Sequence, residues 1–135
     1  MGSTSSKKKI KITKLKNYIS WFEIPAINFQ KAVVFYNHIY GIEMESFTNG
    51  DHTMAIFPSD AGISGAIVAG PGSVPSENGP LLYLNGGNDL NNILSKVDEA
   101  GGRVVMAKTF INDDSGYFAI FIDSEGNKLA LHSKK

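Results

Sequence analysis

The same order of sequence patterns occurs twice along this chain, and that internal repeat restricts the fold more than any other feature. Ala55-Ile56-Phe57 precedes a turn, and Ala119-Ile120-Phe121 precedes another turn 64 positions later. Gly41 and Gly102 each end a helical pattern, 61 positions apart. Each half contains one extended segment, one helical segment and three further extended segments. Because one half is too small to bury its own apolar faces, the repeat predicts two βαβββ modules packed as one α+β domain.

The first half begins with a strand pattern that passes directly into a helix. In residues 18–24 bulky side chains alternate between two faces, and Pro25 ends the run because it has no ladder donor. From Phe29 to Tyr40 apolar residues recur every three or four positions, which is helical spacing. Asn28 is a suitable N-cap, and Gly41 is a suitable residue to end the helix.

The second half repeats this pattern with different residues. Leu81 to Asn85 is a short apolar strand, and residues 90–97 have apolar side chains at helical spacing before Ala100-Gly101-Gly102 ends the helix. Asp89 or Asn88 is the expected cap. The buried core shared by the two halves is predicted to include Phe22, Ile24, Phe29, Val33, Phe35, Tyr36, Leu94, Val97, Phe121, Leu129 and Leu131.

The domain boundaries follow from changes in composition. The Pro- and Gly-rich residues 71–79 are predicted to link a first module, residues 18–70, to a second module, residues 80–133. Residues 1–17 are expected to form a basic, disordered tail leading into an edge segment that contains Ile10 and Ile12. Six lysines lie among residues 7–16, but no arginine or aromatic residue is interleaved with them. A solvated tail is therefore favoured over an arm that binds nucleic acid or membrane.

The composition excludes several classes of function. The chain has no cysteine, so it has no disulfide, thiolate metal site or cysteine nucleophile. Its formal net charge is zero, so no overall field attracts polyanions such as nucleic acids. No apolar run approaches the roughly 20 residues that span a membrane. A cytoplasmic protein without a nucleic-acid or membrane partner is expected.

Three local features, together with the repeat, carry a resemblance to a known superfamily. They are FEIPAINFQKAVVFY (residues 22–36), the helix-ending Gly41 and the hairpin DSEGNKLALHS (residues 123–133). Together they resemble the vicinal oxygen chelate superfamily, whose members include glyoxalase, bleomycin-resistance proteins and extradiol dioxygenases. The resemblance covers residues 18 to 133. It implies that each module curls a mixed sheet into half of a cup, with helices outside and a ligand inside, often on a divalent metal.

The resemblance also implies four metal-ligand positions, on the first and last strands of each module. The first-strand positions fall on Trp21 and on Leu81 or Leu82. The last-strand positions fall within residues 63–69, which contain no His, carboxylate or amide side chain, and on Ala130. Because a catalytic metal site needs about three protein ligands, we expect no metal and no other cofactor. Glyoxalase and dioxygenase activities, which depend on the metal, are not expected either.

Alternation along the strands predicts which side chains face the cup in place of a metal. On the first strand Trp21 and Glu23 share one face. On the last strand Lys128, Ala130 and His132 share one face, while the residues between them point into the core.

The hairpin before the last strand sets the register of its neighbour. A three-residue loop with Gly126 in a left-handed conformation places Ile120 opposite Ala130 and Phe118 opposite His132. Aromatic walls with a few polar groups are typical of a small-molecule site. The predicted ligand-binding residues are Trp21, Glu23, Phe118, Ile120, Lys128 and His132.

Each of these residues also has a structural interpretation, which the sequence leaves open. Trp21 can fill the space that a metal occupies in the related enzymes. Glu23 and Lys128 can pair with each other or lie in water, and His132 can be a surface residue near the chain end. The other histidines are expected to face solvent: His38 and His52.

Three hypotheses for function follow. The leading one is a metal-independent protein that binds an amphipathic, aromatic small molecule. The second is a metal-independent lyase or isomerase. Its candidate catalytic residues are Glu23 as general base and His132 as general acid. The third is an interaction module without a ligand, its cup filled by its own side chains. The resemblance further implies a homodimer.

Overall fold

The computed structural model describes residues 13–135, which form two four-stranded mixed sheets. The elements in chain order are β1 (Trp21–Ala26), α1 (Phe29–Tyr40), β2 (Glu45–Asn49), β3 (His52–Ile56), β4 (Ser64–Ala69), β5 (Tyr83–Asn85), α2 (Asn91–Leu94), β6 (Arg103–Asn112), β7 (Gly116–Ile122) and β8 (Lys128–Ser133). The strand orders are β1-β4-β3-β2 and β5-β8-β7-β6, and the first and last strands of each module are parallel.

The predicted fold class is confirmed, with two βαβββ modules whose sheets form an open cup rather than a closed barrel. The expectation of an edge segment at Ile10 and Ile12 lies outside the described residues. No helix within residues 13–135 has the length and apolar character that a membrane crossing requires.

Helix α1 begins and ends at the predicted residues, and it is capped from both modules. The Asn28 side chain accepts a hydrogen bond from the backbone N–H of Lys31 at 3.1 Å, and Gly41 is left-handed with φ 65°. In addition, the Glu125 carboxylate accepts from the backbone N–H groups of Ile27 and Asn28 at 2.8 and 2.6 Å. A carboxylate at this end of a helix also interacts favourably with the helix dipole.

The helix of the second module is shorter than predicted. α2 spans only Asn91–Leu94, and residues 95–101 continue as a series of turns. The Asp89 side chain accepts from the N–H of Asn91 at 3.0 Å, as a cap is expected to do. Neighbouring asparagines at the start and Gly101-Gly102 at the end lower the helix propensity. The apolar residues of the predicted helix are nevertheless all buried: Leu90, Ile93, Leu94 and Val97.

The strand registers repeat from one module to the other and show which positions correspond. Glu23 lies beside Ala66 in the first sheet, and Tyr83 lies beside Ala130 in the second. Ala66 and Ala130 are 64 positions apart, as are the two copies of the repeated tripeptide. The residues two positions before Glu23 and Tyr83 correspond in the same way: Trp21 and Leu81. The register therefore selects Leu81, rather than Leu82, as the counterpart of Trp21.

The two modules share one hydrophobic core around α1. The rings of Phe35 and Phe121 stack with their centroids 6.2 Å apart. The Tyr36 hydroxyl donates to the buried carboxylate of Asp123 at 2.7 Å, and burial, followed by the charge of Asp123, raises the pKa of Tyr36 well above its ordinary value. Nine predicted core residues are buried: Ile24, Val33, Phe35, Tyr36, Leu94, Val97, Phe121, Leu129 and Leu131. Phe22 and Phe29 are half-buried against the same core.

The inner edge strands β1 and β5 are tied to the opposite module by two equivalent hydrogen bonds. The Pro25 carbonyl accepts from the Asn127 side chain at 2.8 Å. The Asn85 carbonyl, at the corresponding position of β5, accepts from the Tyr40 hydroxyl at 2.7 Å. Pro25 suits such an edge because it has no N–H to leave without a partner. The two edges therefore face each other across the junction between the modules.

Candidate functional site on the concave sheet faces

The concave face of the first sheet carries Trp21 and Glu23, as the alternation predicted. Phe22 and Ile24 point the other way and pack against the core. The Trp21 indole donates to the Glu23 carboxylate at a long distance of 3.4 Å, and Trp21 is 42% exposed. The indole is therefore not buried in the space that a metal occupies in the related enzymes.

The register of the second sheet is the one predicted from the hairpin. Gly126 is left-handed with φ 94°. Phe118 lies beside His132, and Ile120 lies beside Ala130. These side chains share the concave face of β7 and β8, while the alternating residues enter the core.

Tyr83 belongs to the same concave face and was missed by the sequence reasoning. It lies beside Ala130 on β5, and its ring centroid is 6.4 Å from that of Phe118. It is 54% exposed. The alternation of Leu82 and Leu84 with Tyr83 was the signal that could have identified it.

His132 is half-buried and held in a fixed orientation. Its Nε2–H donates to the Ser115 carbonyl at 2.5 Å. In the neutral ring this bond places the proton on Nε2 and leaves Nδ1 as an acceptor. His132 lines an open cavity of about 520 Å³ together with Tyr83, Asn85 and Lys134. This cavity combines an aromatic wall with hydrogen-bonding groups of both kinds.

Glu23 and Lys128 line a second, smaller cavity of about 150 Å³, whose wall includes Val74 and Ser76 of the linker. The linker is fixed there because the N–H of Ser76 donates to the side chain of Asn127 at 3.0 Å. The ion pairs within residues 13–135 are His38–Glu99 and Lys108–Asp89. Glu23 and Lys128 therefore share a cavity without forming an ion pair.

The remaining two histidines contact protein groups away from this face. His38 is exposed, as predicted, and approaches the Glu99 carboxylate at 2.5 Å. His52, which was expected to contact water, is partly exposed and also contacts the protein. Its ring is half-buried, and Nε2 donates to the Pro71 carbonyl at 2.8 Å.

The metal-ligand positions that the resemblance implies do not fit a metal. By register they are Trp21 on β1 and Leu81 two residues before β5, and the strands beside them carry Ala66 and Ala130. None of these side chains is a usual metal ligand. Within residues 13–135 no three His, Asp or Glu side chains are grouped closely enough to hold a metal ion. The arrangement suits binding through apolar contacts and hydrogen bonds.

Comparison with known proteins gives one sequence relative and many structural ones. No protein-family model matches the chain. A glyoxylase-like domain-containing protein from Didymella fabae is 28% identical over 122 residues, which cover 87% of this chain and 94% of that protein.

The structural likeness covers nearly the whole chain. A glyoxalase/bleomycin resistance protein from Albidiferax ferrireducens T118 matches with a TM-score of 0.69 and 17% identity, over 88% of this chain and 100% of that one. TnmS3, an antibiotic binding protein from Streptomyces sp. CB03234, matches with a TM-score of 0.60 and 22% identity, over 91% and 100%. Glyoxalase I from Zea mays matches with a TM-score of 0.67 and 17% identity, and the match covers 84% of this chain but only 45% of that enzyme. The fold resemblance predicted from the sequence is confirmed.

Proposed function

We propose that this chain, whose fold is that of the vicinal oxygen chelate superfamily, is a metal-independent small-molecule-binding protein. Its ligand is amphipathic and aromatic and lies on the concave sheet faces. The predicted contacts are Trp21, Glu23, Phe118, Ile120, Lys128 and His132, to which the structure adds Tyr83. The likeness to TnmS3, an antibiotic binding protein, supports a binding function.

The exposure of Trp21 is the observation that carries this proposal. A cup filled by its own side chains requires a buried indole, whereas Trp21 is 42% exposed. Its bond to Glu23 is at the long limit of hydrogen bonding, so little energy is lost when a ligand displaces it. The accessible indole lies beside Glu23, which in turn shares a cavity with Lys128. This arrangement suits a ligand with an aromatic body and a polar end.

The geometry supports binding more than acid–base catalysis. A general base and a general acid must both come within hydrogen-bond reach of the reacting group. Glu23 lines the small cavity with Lys128, whereas His132 lines the larger cavity with Tyr83. Lys128 and His132 are four residues apart on β8, which separates them by about 13 Å. This separation does not favour Glu23 and His132 as a catalytic pair.

A homodimer and a cytoplasmic location belong to the same proposal. Strand β6 is an outer edge strand of ten residues, and its exposed apolar side chains include Val105, Phe110 and Ile111. A long apolar edge of this kind is typical of a surface that pairs with another chain. The absence of cysteine is compatible with a reducing compartment.

The test uses the single tryptophan of the chain as the reporter and 8-anilinonaphthalene-1-sulfonate, an amphipathic aromatic anion, as the probe. We expect saturable quenching of Trp21 fluorescence that a chelator does not change. Lys128→Gln is expected to weaken binding about tenfold, since it removes a charged hydrogen-bond donor. Lys31→Gln, at an exposed position on α1, is the matched control and is expected to leave the affinity unchanged.

Two results would count against the proposal. Trp21 fluorescence that does not saturate with the probe would show that the concave face has no binding site for it. Equal losses of affinity in the Lys128 and Lys31 variants would show that only the overall charge of the protein matters.

A further inference from the structure

We propose a second binding site, which adjoins the concave faces at Tyr83 and Asn85, for a neutral, planar aromatic molecule that carries an amide or lactam group. The site is a cavity of about 480 Å³ between β5 and a part of the first module that includes Phe22, Tyr40 and the connection from β3 to β4, a volume in the usual range for small-molecule sites. None of its lining residues carries a formal charge, which distinguishes it from the concave faces with Glu23 and Lys128. Its wall includes six large apolar or aromatic residues: Ile19, Phe22, Tyr40, Phe57, Ile63 and Tyr83.

The floor of this cavity is an aromatic cluster held in place by the core. The Phe22 and Phe57 ring centroids are 5.6 Å apart, and Tyr40 meets Phe57 edge-on at 6.4 Å. Phe22 lies directly over Gly65, where an added Cβ would come within 2.6 Å of the ring. The three rings are only half-buried, so each has one side in the core and another toward the cavity. Fixed rings of this kind favour a flat aromatic ligand, which can stack on them.

The strand edge beside the floor supplies the polar specificity. The backbone of β8 bonds to the Leu82 carbonyl at 3.0 Å and to the Gly86 N–H at 2.7 Å. Because backbone groups alternate in direction along a strand, those of Tyr83 and Asn85 point the opposite way, toward the cavity. Within residues 13–135, β8 is the one strand that pairs with β5. The N–H and C=O of Tyr83 thus form a donor and acceptor pair that matches an amide or lactam.

The same edge is closed to a peptide strand. The Asn85 carbonyl already accepts from the Tyr40 hydroxyl at 2.7 Å. On the facing strand Pro25 has no N–H, and its carbonyl accepts from Asn127. β5 is itself only three residues long, so a ladder of hydrogen bonds cannot continue in either direction. These blocked positions favour a small molecule over a β-augmenting peptide.

The probe for this site is quinolin-2(1H)-one, a neutral, planar aromatic lactam, titrated into ¹⁵N-labelled protein. We expect saturable shifts of the Tyr83 and Asn85 amide resonances, with a Kd on the order of 1 mM for a molecule of this size. The N-methyl analogue, which cannot donate to the Tyr83 carbonyl, is expected to bind about tenfold more weakly. The indole resonance of Trp21 is expected to stay in place.

Two variants with the same change of charge locate the site. Ile63→Lys places a cation at the mouth of the cavity, where Ile63 is 38% exposed, and is expected to abolish the shifts. Val34→Lys, at a 64% exposed position on the outer side of α1, is expected to leave them unchanged. Both positions are at the surface, so the fold is expected to survive either substitution.

The proposal is overturned if the probe shifts the Trp21 indole instead of Tyr83, if the N-methyl analogue binds equally well, or if no resonance moves at the solubility limit. It is also overturned if an extended alanine peptide shifts Tyr83 and the lactam does not, because the site is then a strand-pairing edge. The quenching of Trp21 by the anionic probe tests the concave faces, so failure of one site leaves the other unaffected.

Discussion

Asp123 shows how one side chain can connect the two modules. It is only 3% exposed, and its partners are hydrogen-bond donors rather than cations. The Tyr36 hydroxyl and the Asn127 amide donate to one oxygen, while the N–H groups of Glu125 and Asn127 donate to the other. A buried carboxylate requires such partners, because desolvation otherwise strongly disfavours its charged form. The first module contributes Tyr36, and the second contributes the remaining donors.

We expect Tyr36→Phe to lower the free energy of unfolding at neutral pH by about 1 to 3 kcal/mol, since it leaves a buried carboxylate with one donor fewer. The folded-state pKa of Tyr36 is raised above its unfolded value of about 10, so the phenol is neutral in the native state. The stability from this shift is fully present below about pH 10 and is lost as the pH rises through the folded-state pKa. The variant is therefore expected to lose less stability than the wild type in alkaline solution.

Urea unfolding at neutral pH and above pH 10 measures both effects. Tyr18→Phe is the matched control, since Tyr18 is 84% exposed and its substitution is expected to change neither value. A Tyr36→Phe protein with wild-type stability at both pH values would contradict the role assigned to this hydrogen bond.

Secondary-structure elements whose geometry is set locally could be predicted from the sequence. Asn28 caps the start of α1 and Gly41 caps its end, both through local contacts. Gly126 sets the register of the β7–β8 hairpin through its left-handed conformation. Elements set by distant contacts could not. The local alternation indicates only which face Tyr83 occupies; its pairing with Ala130 of β8, 47 residues later in the same module, is a distant contact that no local pattern specifies. The second cap of α1 comes from Glu125, almost a hundred residues further along the chain.

This second cap can be tested by substitution. Glu125→Ala removes the acceptor for the N–H groups of Ile27 and Asn28 and is expected to cost about 1 kcal/mol of stability, the usual value of a cap. Glu125→Gln keeps an acceptor oxygen but loses the interaction with the helix dipole, so an intermediate loss is expected. Urea midpoints give both values, with Glu77→Ala at an exposed linker position as the control. Equal midpoints for Glu125→Ala and Glu77→Ala would show that the Asn28 cap is sufficient.

At the scale of the whole molecule, the modules keep the same strand geometry but differ in surface chemistry. The hydrogen bonds to Pro25 and Asn85 occupy equivalent positions and hold the two inner edges in the same way. The outer edge strands are not alike, because β2 has five residues and β6 has ten. The sequence could predict the shared core, since burial of apolar faces within the chain leaves a periodic pattern. It could not predict which outer surface pairs with another chain, because that surface has no partner in the same sequence.

The proposed homodimer provides the last test. If two copies pair through β6, the wild-type protein is expected to sediment at twice its mass of 14.6 kDa at tens of micromolar. Ile111→Lys places a charge on the exposed apolar edge, where Ile111 is 41% exposed, and is expected to shift the protein to monomer. Val34→Lys makes the same change on α1 and is expected to leave the dimer intact. A wild-type monomer at this concentration would refute the dimer. A dimer that persists in Ile111→Lys would show that β6 does not form the interface.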